Sequence, residues 1–537
     1  MKRIIALILA LLCVVTALAA CSGSGTKSDS SVDEVVASGK NKIQKKNDDS
    51  EKEERKADTK TDEKKGNLSS SFDNLSNVDY VMVYNPGIYD EQATINKKLS
   101  TGKLANYIDT NVNRADGLEE EASFTSLSQL ELLGELTGVK NTELTDNRAG
   151  GLVPTYKEGD KHKFYYNAGS VSVKPKGENF TCVKVGKKCY VWMLDADKSK
   201  SSDAEKIAKE FDEKIYDKDV SLFGAPRFAE GSGKVNLLFH PMDSNIMGYF
   251  MPMDLFTSDE MAQLAKLYRD IDDKTANTDH AIVHINSSML GKKDEEKSLL
   301  ATVGHEFQHL INFSSSLAGG YDLNMMSTWL NESMSGYVEE QLYSGIQKKD
   351  CRYLMYEYSD KVRDGQSLYN FETSAKDAGV YGSVFLFSEY FNKQAGENKI
   401  FKKIHDAWRS RKTVTFDTAE AIYKSVPDSY RKTVDSLVSY PSKLKFATKE
   451  QEWMSKMALD FYLSLMKFEK TDPKVYENVH VERLLYDQIN AAEIEGGGRI
   501  VFATKDGKFS IPSDADSNLV YVGFDKDFNR VTDIICK

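Results

Sequence analysis

Residues 297–313, KSLLATVGHEFQHLINF, hold the most informative pattern in the chain. Apolar side chains recur there at helical spacing and predict one buried helix face. They are Leu299, Leu300, Val303, Phe307, Leu310 and Ile311. His305 and His309 are four positions apart, so both imidazoles lie on one side of the helix and can reach one metal ion. Glu306 then lies beside the ion without binding it.

The spacing of these three polar residues is typical of metal-dependent hydrolysis. Zn²⁺ held by two histidines and a third ligand activates a water molecule, and Glu306 stands where a general base would accept its proton. Histidine is scarce, with 8 in 537 residues, so a chance match to the pattern is rare. The alternative is that His305 and His309 are helix residues with no metal.

A catalytic zinc site needs a third protein ligand, which is expected downstream. A third histidine six residues after the second, with a glycine between them, is excluded because Ser315 and Asn312 occupy those positions. Glu332, in the helical run WLNESMSGY, is the preferred ligand, since a second helix antiparallel to the first would carry its carboxylate to the metal. Glu339 and Glu340 follow on the same helix and remain alternatives.

The two motifs together resemble the gluzincins, the thermolysin-like superfamily. The strings GHEFQHLINF, WLNESMSGYVEE and YGSVFLFSEYF are most similar to the hyicolysin-type neutral metalloproteases within it, over about residues 204–408. The resemblance implies an α+β zincin domain, in which a small sheet lies over helices and one helix carries the metal motif. The position after Ser335, often acidic in gluzincins, is Gly336 here, so the surroundings of the metal ligands must differ.

The same resemblance makes Tyr381 a candidate electrophile. In gluzincins a tyrosine or histidine on such an element donates a hydrogen bond to the oxyanion. The alternative is that Tyr381 is an ordinary core aromatic residue. His405 is a rival, and we expect it at the surface of the helix before Trp408. His280 and His284, in the predicted strand HAIVHIN, are expected to be structural or part of the cleft wall.

The motif and the resemblance predict an endopeptidase with one Zn²⁺ per chain and a protein or peptide substrate. The G-x-M-E-N stretch that grips a free amine in gluzincin aminopeptidases does not occur in the sequence. The edge strand near residues 281–286, or the segment at residues 248–250, is expected to align the substrate as an added strand. Two alternatives remain: an inactive zincin-fold surface binding protein or adhesin, and hydrolysis of a non-peptide amide.

The N-terminus resembles a bacterial lipoprotein signal. Residues 1–20 have a basic start and an apolar run, and LAAC at positions 18–21 looks like a lipobox. Cleavage would leave Cys21 carrying lipid and would anchor the chain outside the cytoplasm, at the cell membrane. A plain signal peptide or an uncleaved anchor is the alternative. Residues 21–70 are mostly charged or small and predict a disordered tether.

The rest of the chain is predicted to form three folded segments. Residues 71–198 contain short alternating runs that predict a β-rich N-terminal module, packed beside the catalytic domain or acting as a pro-region. Residues 199–430 would form the zincin domain, and residues 431–537 an α/β region with a helix followed by strands. The 71 basic and 82 acidic residues give a net charge of -11, which argues against nucleic acid as a partner.

Six cysteines fit a protein outside the cytoplasm without proving disulfides. Cys182 and Cys189 flank a predicted hairpin turn, VGKK, and are a possible disulfide across that hairpin. Cys351 and Cys536 have no evident partner other than each other.

Overall fold

The computed structural model describes part of the chain, and every structural statement below concerns that part. The described residues are 74–87, 99–100, 155–167, 175–228, 233–243, 246–267, 277–318, 326–347, 365, 367–371, 379–395, 399–413, 416–467, 493–504 and 507–536. They belong to one unit, Asn67–Lys537. The predicted signal with Cys21, the tether and Cys351 lie outside them. None of the described helices is long and apolar enough to cross a membrane.

The elements are named in chain order. The strands are β1 (Asn74–Ser76), β2 (Tyr80–Tyr84), β3 (Leu99–Ser100), β4 (Lys161–Tyr166), β5 (Lys176–Val185), β6 (Cys189–Leu194), β7 (Val235–His240), β8 (Gly248–Tyr249), β9 (Ile282–Asn286), β10 (Glu493–Ile494), β11 (Arg499–Ala503), β12 (Lys508–Ser510), β13 (Val520–Phe524) and β14 (Ile535–Cys536). The α-helices are α1 (Ala204–Glu210), α2 (Tyr216–Phe223), α3 (Ser258–Leu267), α4 (Glu296–Ala318), α5 (Thr328–Leu342), α6 (Gly379–Gln394), α7 (Ile400–Arg409), α8 (Thr418–Ser425), α9 (Asp428–Asp435) and α10 (Lys449–Lys467).

A six-stranded sheet supports the motif helix α4. Its order is β4-β5-β6-β7-β9-β8; β6, β7 and β9 run parallel, and the other neighbours are antiparallel. Side chains alternate between its faces. Val191, Leu237 and Val283 pack toward the helices, whereas Phe164 and Trp192 belong to an aromatic cluster on the opposite face. The predicted α+β class is therefore confirmed.

Strand pairing joins the segments on either side of the predicted boundary at residue 198. β6 pairs with β7 from Cys189 opposite Val235 to Met193 opposite Phe239, so strands before and after that boundary share one sheet. A second sheet has the order β11-β2-β13-β14 and places β2, near the N-terminus, between two C-terminal strands. The described strands of residues 71–198 therefore pair with strands from later in the chain, and a chain beginning at residue 199 would lack three of the six strands that support α4.

Helix α10 joins the second sheet to the helices. It corresponds to the predicted amphipathic helix EQEWMSKMALDFYLSLMKF. The hydroxyl of Tyr84 in β2 donates to the carbonyl of Ser455 at 2.8 Å. The hydroxyl of Tyr369 donates to the carbonyl of Met454 at 2.7 Å, and its ring lies edge-on to Trp329 of α5 at 5.1 Å. These contacts link the terminal strands to the helix that carries Glu332.

The possible disulfide between Cys182 and Cys189 is not formed, and both thiols are free. The hairpin pairs Val185 with Tyr190, so Cys182 cannot lie opposite Cys189, and a register shift between Cys182 and Lys184 places Cys182 opposite Trp192. Cys182 joins the aromatic cluster on one face of the sheet, and Cys189 packs on the helix side. A bulge changes which face the following side chains occupy, and this separates the two thiols. Cys536 is also free, and its predicted partner lies outside the described residues.

His405 is fully buried in α7, which corrects the expected surface position. Its Nδ1 donates to the carbonyl of Phe401 at 2.8 Å, and its ring lies 5.6 Å from that of Phe223. Burial lowers the pKa of His405 to about 3, so the ring is neutral in the folded protein at neutral pH. The sequence spacing did not predict the burial of His405, because that burial depends on the neighbouring helices that cover this side of α7.

His280 and His284 have structural roles, as expected. Nε2 of His284 lies 2.8 Å from Oδ2 of Asp254, and its Nδ1 lies 3.1 Å from Nε2 of His240. Nε2 of His280 lies 3.1 Å from the hydroxyl of Tyr156. These contacts are on the face of the large sheet that points away from α4.

We expect His405 to make the protein less stable in acid. In the unfolded chain a histidine has a pKa of about 6.5. Because the folded pKa is depressed, the unfolded state takes up the proton first, and stability is lost as pH falls from about 6.5 toward the folded pKa near 3. The free energy of unfolding should fall by about 1.4 kcal/mol per pH unit from this group.

Urea unfolding at pH 4.5 to 7 would test this with His405→Gln, which keeps a polar donor but does not titrate. The metal-motif histidines contribute equally to both proteins, so the difference in slope reports His405 alone. Equal slopes would mean that folding leaves the pKa of His405 unshifted.

Candidate metal centre

Helices α4 and α5 pack antiparallel and bring the predicted ligands together. Nδ2 of Asn312 donates to Oδ1 of Asn331 at 2.6 Å near one end of the contact, and Nδ1 of His305 lies 2.9 Å from Oε1 of Glu339 near the other. Gly304 permits this approach, because a Cβ at this position would collide with the last residue of α5. The glycine beside the first histidine therefore serves close helix packing.

His305, His309 and Glu332 form one cluster whose ligand atoms lie within 4.8 Å of one another. Nε2 of His305 is 3.3 Å from Oε2 of Glu332, and Nε2 of His309 is 3.5 Å from Oε1 of the same carboxylate. All three side chains are buried. Within the described ranges this is the sole group of three or more His, Cys, Asp or Glu side chains arranged to hold a metal ion.

Hydrogen bonds on the far side of each ring fix which nitrogen faces the cluster. A carboxylate only accepts, so Glu339 requires the proton of His305 on Nδ1. The hydroxyl of Ser335 donates to Oε1 of Gln308 at 2.5 Å and therefore accepts from Nδ1 of His309 at 3.3 Å. Both Nε2 lone pairs are then directed toward the cluster. Among the described residues, Nε2 of His309 has no hydrogen-bond partner.

Glu306 lies beside the cluster and is fully buried. Within the described residues neither carboxylate oxygen has a hydrogen bond of ordinary geometry, although the backbone amide of Phe250 lies close enough to interact with the carboxylate. Burial raises the pKa of Glu306 to about 8, although nearby His305 opposes the shift. Buried polar atoms without partners are rare in native proteins and call for an explanation. A water molecule or substrate group beside the cluster would satisfy these oxygens.

The histidines respond to this environment in opposite directions. Burial lowers the pKa of His309 to about 4. Burial also acts to lower the pKa of His305, but the carboxylates of Glu339 and Glu332 outweigh it and raise the pKa well above its usual value. The cluster thus carries buried negative charge that a cation would neutralise. Two imidazole nitrogens and one carboxylate oxygen are a ligand set that suits Zn²⁺.

The edge of the large sheet lies directly over Glu306. β9, which contains most of the predicted edge at residues 281–286, lies inside the sheet, and β8 is the outer strand beside it. A Cβ on Gly248 would lie 2.9 Å from Cγ of Glu306, 2.9 Å from the carbonyl oxygen of His284 and 2.9 Å from Cγ2 of Thr302. The missing side chain at Gly248 allows β8 to approach the motif helix this closely.

Tyr381 lies in the first turn of α6 and is half-buried. Its ring packs edge-on against Phe371 at 5.0 Å. Helix α6 packs on α5, where Oγ of Ser333 donates to the carbonyl of Val384 at 2.9 Å. These contacts place Tyr381 on the helix next to α5, and its role as an electrophile stays a prediction.

Two acidic residues near the cluster have positions that the sequence did not indicate. Glu339 is an alternative metal ligand by sequence. Its carboxylate contacts Nδ1 of His305, on the opposite side of the ring from the Nε2 atom that faces Glu332. Asp219 of α2 is fully buried behind Gly304, and neither of its oxygens has a hydrogen-bond partner in the part of the chain that the structure describes. Burial raises the pKa of Asp219 well above its usual range. Helical spacing carries no signal for Asp219, since α2 is distant in sequence.

Comparison with known proteins gives one partial match by sequence. No protein-family model matches the chain. The neutral metalloprotease ShpI of Staphylococcus hyicus is 29% identical over 231 residues, which cover 41% of this chain and 48% of that protein. The chain thus spans about half the length of the curated relative that it matches. This distant homology to a metalloprotease supports a metallopeptidase.

Two solved structures align over 86% of the chain. One is the ZmpB metallopeptidase from Clostridium perfringens, with 93% of that chain covered at 11% identity. The other is the M60 catalytic domain of Clostridium perfringens ZmpC in complex with the sialyl T antigen, with 94% covered at 10% identity. Both have a TM-score of 0.27, which is too low to support a conclusion about fold or site.

We expect Gly248→Ala to destabilise the protein, because the new methyl group would meet a backbone carbonyl and Glu306 at 2.9 Å. Overpacking of this kind costs about 1–3 kcal/mol of unfolding free energy. Gly336→Ala is the matched control, since its Cβ would meet Phe385 at an ordinary 3.6 Å. Urea unfolding of both variants is the measurement. Equal stability of the two would contradict the close contact between β8 and α4.

Proposed function

We propose that this chain is a zinc-dependent endopeptidase with a zincin-type catalytic core. The observation that carries the proposal is the convergence of His305, His309 and Glu332 beside a fully buried Glu306. His305, His309 and Glu332 would hold the Zn²⁺. The partial homology to a neutral metalloprotease supports hydrolysis of protein or peptide substrates.

The proposed mechanism assigns the proton transfers to Glu306. When bound, Zn²⁺ supplies a Lewis acid that polarises the scissile carbonyl and acidifies a water molecule. Glu306 accepts a proton as the water oxygen attacks the carbonyl carbon, and then donates it to the leaving nitrogen as the C–N bond breaks. Burial raises the pKa of Glu306 to about 8. The charge of a bound cation would lower this pKa, so that Glu306 is ionised when it accepts the proton. Tyr381 is proposed to donate a hydrogen bond to the developing oxyanion.

Strand β8 is the proposed guide for the substrate. It is the outermost strand on the side of the sheet that contains β9, and Gly248 lies against Glu306. An extended peptide that pairs with such an edge has its backbone fixed by main-chain hydrogen bonds. A peptide bound there would run past the general base, which favours cleavage inside a chain rather than at its end.

We expect residues 67–537, the unit that contains every described residue, to bind one Zn²⁺ per chain and to hydrolyse casein or a peptide library. Glu306→Gln should keep the metal and lose about 10²–10⁴-fold in rate, since only the base is removed. Glu332→Gln should bind zinc much more weakly, because a ligand loses its charge. Metal analysis and a fluorogenic peptide assay measure both effects.

Three results would argue against the peptidase. Zinc in the wild-type chain without hydrolysis would favour the inactive surface binding protein. Hydrolysis of amides other than peptides would change the substrate class. The absence of bound zinc after dialysis against Zn²⁺ would refute the metal site itself.

We propose further that the chain is anchored outside the cytoplasm by lipid on Cys21. The support is in the sequence alone: LAAC at positions 18–21, followed by the charged segment to residue 70. In a bacterial host, Cys21→Ser should move the protein from the membrane fraction to the soluble fraction, because the acyl chains that hold it are lost. Mass analysis of the N-terminal peptide checks the modification. A wild-type peptide without lipid would contradict the anchor.

A further inference from the structure

One side of α5 carries three polar residues that contact the metal cluster. Glu332, Ser335 and Glu339 are spaced i, i+3 and i+7, so they lie on the same side of the helix. Glu332 approaches both Nε2 atoms, Ser335 meets Nδ1 of His309, and Glu339 meets Nδ1 of His305. The helix therefore provides one ligand and one hydrogen bond to the rear of each ring.

We propose that Glu339 is a positioning residue that fixes the tautomer and the orientation of His305 for metal binding. The proposal rests on the zinc site proposed above. Oε1 of Glu339 lies 2.9 Å from Nδ1 of His305, and the two side chains are only 12% and 5% exposed. Because a carboxylate only accepts, Nδ1 carries the proton and Nε2 presents its lone pair to the ion. The negative charge also makes Nε2 a stronger donor to a cation.

The turn after α5 is built to hold Glu339 in place. Oε2 of Glu339 accepts a hydrogen bond from the side-chain amide of Gln347. Glu340 accepts from the backbone amides of Gly345 at 2.8 Å and Gln347 at 3.0 Å, which closes the turn. Gly345 has φ +91°, a conformation that favours glycine. Glu340 thus brings Gln347 to Glu339 and leaves one oxygen of Glu339 for His305.

The environment of Gly336 explains why the carboxylate behind His305 comes from Glu339 and not from position 336 of α5. A Cβ on Gly336 would meet Phe385 of α6 at 3.6 and 3.8 Å. A side chain there would therefore extend along α6 rather than toward the rear of His305. Residue 339, nearly one turn further on, lies beside Nδ1. The chain thus keeps a carboxylate behind the first histidine but supplies it from a different position of α5.

Zinc affinity tests this proposal without relying on catalysis. Competition with a chromophoric chelator would be measured for the wild-type full chain, Glu339→Ala and Glu339→Gln. Loss of a residue that orients a zinc-binding histidine typically weakens metal binding about 10–100-fold. We expect that loss for Glu339→Ala and a smaller one for Glu339→Gln, whose amide oxygen can still accept from Nδ1. Gln347→Ala should give a weaker effect in the same direction.

Glu210→Gln is the matched control for charge. It removes a carboxylate that accepts from the hydroxyl of Tyr343 at 2.9 Å, directly after α5, and it should leave zinc affinity unchanged. The ¹⁵N spectrum of histidine-labelled, zinc-loaded protein gives a second readout. His305 should show a protonated Nδ1 that exchanges slowly in the wild type and quickly in Glu339→Ala. A purely structural role for Glu339 would lower stability without changing either readout.

The outcomes separate this proposal from the proposed function. Equal zinc affinity of the wild type and both Glu339 variants overturns the positioning role, whether or not peptides are cleaved. Weaker zinc binding in the variants supports it even if the wild type hydrolyses nothing, a result that would refute only the peptidase. A wild-type chain that binds no zinc overturns both. If Glu339→Ala fails to fold, Glu339→Gln and Gln347→Ala still decide the question.

Discussion

The antiparallel contact between α4 and α5 is the constraint on which the rest of the site depends. It places two imidazoles and the three carboxyl groups of Glu306, Glu332 and Glu339 close together in the interior. Burial of charge is unfavourable unless a partner compensates it. A divalent cation between the Nε2 atoms would supply that compensation.

Two separate parts of the structure hold this helix pair. On one side, β9 and β8 lie against α4, and Gly248 allows the edge strand to approach Glu306. On the other side, Trp329 of α5 packs on Tyr369, whose hydroxyl bonds to α10 at Met454. Helix α10 is in turn bonded to Tyr84 in β2. Strands from both ends of the described chain therefore stabilise the helix that carries Glu332.

Burial also separates the proton affinities of neighbouring groups. The pKa of Glu306 is raised to about 8 and that of His309 is lowered to about 4, so each group favours its neutral form. For Glu306 the neutral form is the protonated acid, and for His309 it is the free base that a metal requires. The same desolvation thus shifts the two pKa values in opposite directions, because it disfavours the charged form of each group. The hydrogen bonds of Ser335 and Glu339 complete this arrangement by placing both ring protons on Nδ1.

The sequence by itself determined the local part of this structure. The spacing of His305, Glu306 and His309, the helix around Glu332 and most of the strands were predictable, because helical and strand periodicity depend on neighbours in the chain. The tertiary structure alone decided the rest: the sheet that unites β4–β6 with β7–β9, the opposite faces of Cys182 and Cys189, the burial of His405, and Glu339 behind His305. Each depends on strand register or on the packing of distant elements, which no local spacing encodes.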